Sequence, residues 1–131
     1  MSETPGEDGA ITDIKADLFK GIGHPARIRV LEILSAAPVS VSELRMRTGL
    51  EASNLSQHLG ILRRHRLIAP SRRDGQQVYE LTCPEVTELL ASARILLSTV
   101  LLTTQQHLDR DPSQLRAVDA PEVELEELQT A

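Results

Sequence analysis

Two glycines punctuate the middle of this chain and constrain its fold more than any other feature. Gly49 separates two short amphipathic runs, and Gly75 follows Asp74 between two extended ones. A glycine just past the last residue of a helical pattern suits the left-handed conformation that closes a helix. An Asp-Gly pair between extended segments encodes a tight hairpin, because such a turn needs positive φ. The order helix, glycine turn, helix, hairpin predicts a helix-turn-helix followed by a wing.

The flanking residues sharpen that reading. Ser40-Val41-Ser42-Glu43 has capping-box spacing. The helix it opens offers Val41, Leu44 and Met46 as its buried side. The next helix runs from about Ala52 to His65 with Leu55, Leu59 and Leu62 inward. Its opposite face carries Ser53, Asn54, Ser56, Gln57, His58, Arg63 and Arg64. Leu67-Ile68-Ala69 and Val78-Tyr79-Glu80-Leu81 flank the hairpin, whose tip bears Arg72 and Arg73. Upstream, Ile14, Leu18 and Ile22 recur at helical steps from Asp13 until Gly23 interrupts them. Pro25 suits the first turn of a second helix, which buries Ile28, Leu31 and Leu34 with Val30 and Ile33 and ends before Pro38. The organisation expected is a disordered acidic lead-in over 1–12, one domain over 13–109 and a flexible acidic tail over 110–131.

The last helix, opening at Cys83-Pro84, poses a burial problem. Val86, Leu89, Leu90, Ala93, Leu96, Leu97, Val100 and Leu101 keep the helical spacing, and Ile95 and Leu102 make its middle apolar nearly all round. Such a helix needs neighbours on more than one side. A chain this short cannot wrap it, so a second copy is the expected cover. The apolar run Leu89–Leu102 contains Arg94 and falls short of the ~20 residues of a membrane span. The polar, acidic start does not read as a signal peptide. The chain is therefore expected in the cytoplasm, without a membrane. Phe19 and Tyr79 are its only aromatics, so the core is aliphatic and the fold mostly α with a small β-hairpin.

The net charge of −5 hides a division. Residues 14–108 hold 12 bases against 8 acids, and seven arginines fall between Glu43 and Arg73 (positions 45, 47, 63, 64, 66, 72 and 73). Local field, not net charge, governs encounter with a phosphate backbone. Gln57 and Asn54 have the side-chain amide that pairs bidentately with adenine, and Ser53 and Ser56 suit phosphate or base contacts. Arg72 and Arg73 suit phosphate or the adjacent minor groove. Arg63, Arg64 and Arg45 or Arg47 are further phosphate contacts.

The chain resembles the ArsR/SmtB family of winged-helix transcriptional repressors over about residues 13–108. The resemblance is carried by Gly23-His24-Pro25-Ala26-Arg27-Ile28-Arg29-Val30-Leu31, Val41-Ser42-Glu43-Leu44 and Leu50-Glu51-Ala52-Ser53-Asn54-Leu55-Ser56-Gln57-His58-Leu59. It continues with Leu62-Arg63 and Arg72-Arg73-Asp74-Gly75 followed by Val78-Tyr79. The family pattern has Ser or Thr at position 56 and His at 58, and both are present. The resemblance implies a homodimeric DNA-binding repressor, released by an effector from an inverted-repeat operator. Its dimer forms through the first and last helices, here Ile14, Leu18, Leu89, Ala93, Leu96, Leu97, Val100 and Leu101. It also places Arg27 and Arg29 near the DNA backbone, although Arg29 equally suits a structural salt bridge. His58 alternatively packs or caps within the protein.

The sensor is harder to find. Many relatives hold thiophilic metals with a Cys-x-Cys motif, but Val41–Arg45 contains no cysteine, and one thiol per chain makes no soft-metal site. Others pair Asp-x-His with His-x-x-Glu on the last helix, where this chain has only His107-Leu108-Asp109, with Asp111 beyond. No metal or cofactor is expected. Cys83 precedes a helix N-terminus, which permits a redox response, against the plainer reading of a small buried thiol. Catalysis finds no support in a Gly-rich phosphate loop, a nucleophile triad or clustered carboxylates. His24, before Pro25, reads as a local cap or core residue. The rival to DNA binding is a winged-helix protein-interaction module.

Overall fold

Pro25, Ser40 and Gly49 each act on the backbone as their positions dictate. In a computed structural model that describes residues 5–110, with side chains over 8–103, α2 (Pro25–Ala36) begins at Pro25. His24 caps it, its Nδ1 accepting the Ala26 N–H at 3.0 Å, as expected of a local cap. Ser40 caps α3 (Val41–Thr48), its hydroxyl accepting the Glu43 N–H at 3.2 Å. Gly49 ends α3 at φ 71°, donating its N–H to the Arg45 carbonyl at 2.9 Å. Helix α4 (Ala52–Arg64) follows.

Helix α1 spans Pro5–Ile22 and so begins eight residues before the expected Asp13. The apolar stripe does start near Asp13. Pro5, however, is compatible with a first helical turn, and Asp8 suits the positive end of the helix. The Thr12 hydroxyl donates to the Asp8 carbonyl at 2.9 Å within this early segment.

The hairpin pairs β2 (Ile68–Arg73) with β3 (Gln76–Leu81), antiparallel, from Ile68 opposite Leu81 to Arg73 opposite Gln76. Asp74 (φ 52°) and Gly75 (φ 78°) turn it. The hairpin is not alone. A two-residue strand, β1 (Val39–Ser40), lies on the other edge of β3, giving a three-stranded sheet ordered β1-β3-β2. Two residues carry no readable period, which is why β1 has no sequence signal.

The core is aliphatic. Val30 and Leu31 of α2, Leu44 of α3, and Leu55 and Leu62 of α4 are almost wholly buried, with Val39, Ile68, Val78 and Tyr79 of the sheet around them. Helix α2 packs on α3, α4 and β3, and α1 touches α2 and α4. Met46, expected on the buried side of α3, is 77% exposed. It stands two residues from Leu44, roughly 200° around the helix, and cannot share its face. Cys83 is exposed, not buried, in the connection after β3, with the Thr82 hydroxyl 3.9 Å from its sulfur.

The chain divides after Thr87 into two units. Helix α5 (Glu85–Arg110) opens in the first unit, where Val86 is buried, and from Glu88 it makes up the described part of the second unit. There Ile95, Leu96 and Leu102 are each more than 60% exposed, Ala93 and Val100 are exposed, and Leu89, Leu97 and Leu101 are half-buried. By length and composition alone, Glu85–Thr103 suffices to cross a membrane. The expectation that the run is too short, drawn for Leu89–Leu102, is corrected: the helical segment that suffices is longer, 19 residues, because Val86 and the apolar run itself offset the polar residues before Leu89. The side chains of His107, Leu108 and Asp109 and the acidic segment 111–131 lie outside the described residues.

Candidate nucleic-acid interface

Helix α4 is two-faced. Leu55, Leu59 and Leu62 are buried against the core, and Ser53, Asn54, Ser56 and Gln57 are all exposed within its first two turns. The leucines recur at three and four residues, so burying them turns the polar set outward. Glu51 at the N-cap makes no side-chain capping bond, and the first turn holds no acidic residue. Arg63 and Arg64 are exposed in the last turn, where cations offset the negative end of the helix.

His58 differs from its neighbours on α4. It is half-buried, its Nδ1 lies 3.3 Å from Nη1 of Arg27, and its ring meets that of His24 at 4.4 Å between centroids, tilted 42°. Arg27 also donates Nε–H to the Gly21 carbonyl at 2.6 Å and Nη2–H to the Lys20 carbonyl at 3.3 Å. Its guanidinium thus closes the end of α1. Burial chiefly, with the nearby His24 and Arg27 charges, holds the His58 pKa below the ordinary histidine value. Local periodicity carries no sign of this cluster, because Arg27 and His58 are 31 residues apart.

The wing presents its two arginines unequally. Successive residues of a strand face opposite sides, so Arg72 and Arg73 leave the ribbon in opposite directions. Arg73 bridges to Glu80 at 3.4 Å, whereas Arg72 is exposed and makes no polar contact with the described residues. The base of the wing is tied by Thr82, whose hydroxyl donates to the Arg66 carbonyl at 2.7 Å.

Arg45 and Arg47 are exposed on α3. Of the seam residues expected on α1, Ile14 is 68% exposed and Leu18 half-buried. Among the described residues, no three His, Cys, Asp or Glu side chains come close enough to hold a metal.

Residues 22–70 match the family model of a helix-turn-helix domain. The chain is 48% identical over 97 residues to an HTH-type transcriptional regulator of Mycobacterium tuberculosis, Rv0081, covering 72% of this chain and 84% of the relative. The crystal structure of Rv0081 superposes with a TM-score of 0.67, covering 77% of this chain and 97% of that one. The crystal structure of the transcriptional repressor BigR from Xylella fastidiosa gives 0.61 at 28% identity, over 72% of this chain and 96% of that one. The fold is shared with the homodimeric winged helix-turn-helix domain of Mb0332 from Mycobacterium bovis, at 22% identity and a TM-score of 0.68, over 77% of this chain and 94% of that one.

Proposed function

The chain belongs to the ArsR/SmtB family of winged helix-turn-helix transcriptional regulators, and from that premise we propose that it is a homodimeric repressor reading an inverted-repeat operator through α4. As a family member it is a DNA-binding regulator of transcription and not an enzyme. The observation that carries the finer reading is the display on α4: four short polar side chains outward over a fully buried leucine stripe. A helix set in the major groove reads bases from its N-terminal half. In this reading Ser53, Asn54, Ser56, Gln57 and His58 meet bases or phosphates, Arg63 and Arg64 meet phosphates, and Arg72 and Arg73 meet phosphate or the minor groove.

Two copies pair through α5, with Leu89, Ala93, Leu96, Leu97, Val100 and Leu101 in the seam, and Ile14 and Leu18 of α1 covered in the same assembly. The support is the apolar surface of α5 that a single chain leaves in water, which soluble monomers rarely tolerate in one patch. A second copy covers it without lipid, consistent with work on DNA in the cytoplasm. Relatives named as repressors support repression as the outcome. Release by an effector belongs to the same reading, without cofactor or resident metal. The rival protein-interaction module accounts less well for the exposed arginines of α3, α4 and the wing, and a Cys83-based response has an accessible thiol in its favour.

A mobility shift on duplex DNA at two salt concentrations tests the proposal. Binding that weakens steeply with salt and prefers some sequences supports it. Absent or salt-insensitive binding overturns it in favour of the interaction module.

A further inference from the structure

The Arg27–His58 contact has a chemical consequence for what α4 presents outward. A guanidinium has only N–H donors and no acceptor. The 3.3 Å contact from Arg27 Nη1 to His58 Nδ1 is therefore a hydrogen bond only if Nδ1 is unprotonated, and then the ring proton sits on Nε2. The same logic applies to His24, whose Nδ1 accepts the Ala26 N–H. With these contacts made as hydrogen bonds, each of the two imidazoles, which are in ring contact, carries its donor on Nε2. Arg27 is held in turn by the carbonyls of Lys20 and Gly21, so its position is set by the end of α1 rather than by solvent. Among the described residues nothing accepts a bond from His58 Nε2, and the residue is half-buried beside exposed Gln57.

We propose that Arg27 is a positioning residue that locks His58 as a neutral Nε2–H donor, making His58 a directional hydrogen-bond donor for a base acceptor in the groove. Acceptors of that kind are guanine O6 or N7, adenine N7 and thymine O4. Three of the five N–H donors of Arg27 point inward, to Gly21, Lys20 and His58, so its assigned role is to position His58 rather than to contact phosphate. This rests on α4 being the reading helix and adds which atom of His58 reads and what fixes it.

The first test uses the full chain without substitution. Long-range proton–nitrogen correlation spectra of the histidine rings at neutral pH report the tautomer, and His58 is expected as Nε2–H. A Nδ1–H tautomer overturns the proposal. The second test enriches sites from a pool of random-sequence duplexes with the unsubstituted chain, His58→Ala and Arg27→Met. Both variants are expected to lose the base preference at one shared position of the site and to bind the parent site about fivefold more weakly, the worth of one hydrogen bond. The salt slope of Arg27→Met is expected to stay unchanged, which a lost phosphate contact would not allow. If Arg27→Met does not fold, the tautomer and the His58→Ala enrichment still decide. Failure of the unsubstituted chain to enrich any site overturns the reading of α4 itself. An enriched site that His58→Ala binds equally well overturns only the role of His58.

Discussion

The imidazole of His65, at the C-cap of α4, lies directly against Gly21 of α1, with its Nδ1 3.7 Å from the Asp17 carboxylate. A methyl group on Gly21 would fall inside the contact distance of that ring. Close approach of α1 to the end of the reading helix thus depends on the missing Cβ, as it does wherever two elements crowd a glycine.

Gly21→Ala is therefore expected to destabilise the fold by about 1–3 kcal/mol through overpacking. Gly60→Ala, on an open stretch of α4 with nothing within 4 Å, is expected to stabilise it by about 0.5–1 kcal/mol, because alanine loses less backbone entropy in a helix. Chemical denaturation of the two variants checks the opposite signs.

The turn at the wing tip offers a second measurement. Gly75 holds φ 78° in open space, so Gly75→Ala meets no neighbour and suffers only backbone strain. A loss of about 1 kcal/mol is expected. The wing's cross-strand nuclear Overhauser contacts, Arg73 to Gln76 first, should weaken before those of the core.

Stability should also depend on pH in one direction. His58 titrates below its ordinary value in the native chain, first through burial and then through His24 and Arg27. As pH falls through about 6.5, the unfolded chain takes up the proton first, so the unfolded state binds more protons and stability drops. The loss levels off once the native imidazole titrates. In His58→Gln this part of the slope should vanish in denaturation curves taken between pH 7.5 and about 5.

Base reading and phosphate binding should separate. Gln57→Ala is expected to weaken the preferred site by about 1–3 kcal/mol and random DNA hardly at all. Arg72→Ala should weaken both alike and lower the salt slope by about 1. Arg73→Ala should change it less, since Arg73 already bridges to Glu80. Equal losses of selectivity in the Gln57 and Arg72 variants would contradict this division.

Leu97→Glu places a charge in the seam proposed for α5. Light scattering is expected to find it monomeric, and operator affinity should fall with it, because two half-sites one helical turn apart need two linked heads. A monomer that keeps full affinity would count against the paired model.

Much of this architecture is written locally. The cap at Ser40, the left-handed Gly49, the Asp74-Gly75 turn and the Leu55, Leu59 and Leu62 stripe are each set by residues within a few positions of one another. Turn chemistry and helical period act at that range, so they read directly from the chain. The polar display on α4 follows from the same stripe. What local pattern does not contain is partnership across the fold. Strand β1 exists only because β3 offers it an edge. Arg27 turns inward because the packing of α2 brings the open end of α1 and His58 within its reach, 31 residues away in sequence. Met46 and Cys83 read as buried side chains, yet both face water once the helix phase and the connection after β3 are set. Sequence determined the helices, the hairpin and the face of α4 that is outward. Tertiary packing alone decided which polar groups are spent inside the protein and which are left to meet a partner, because that depends on distances between residues that chain order does not fix.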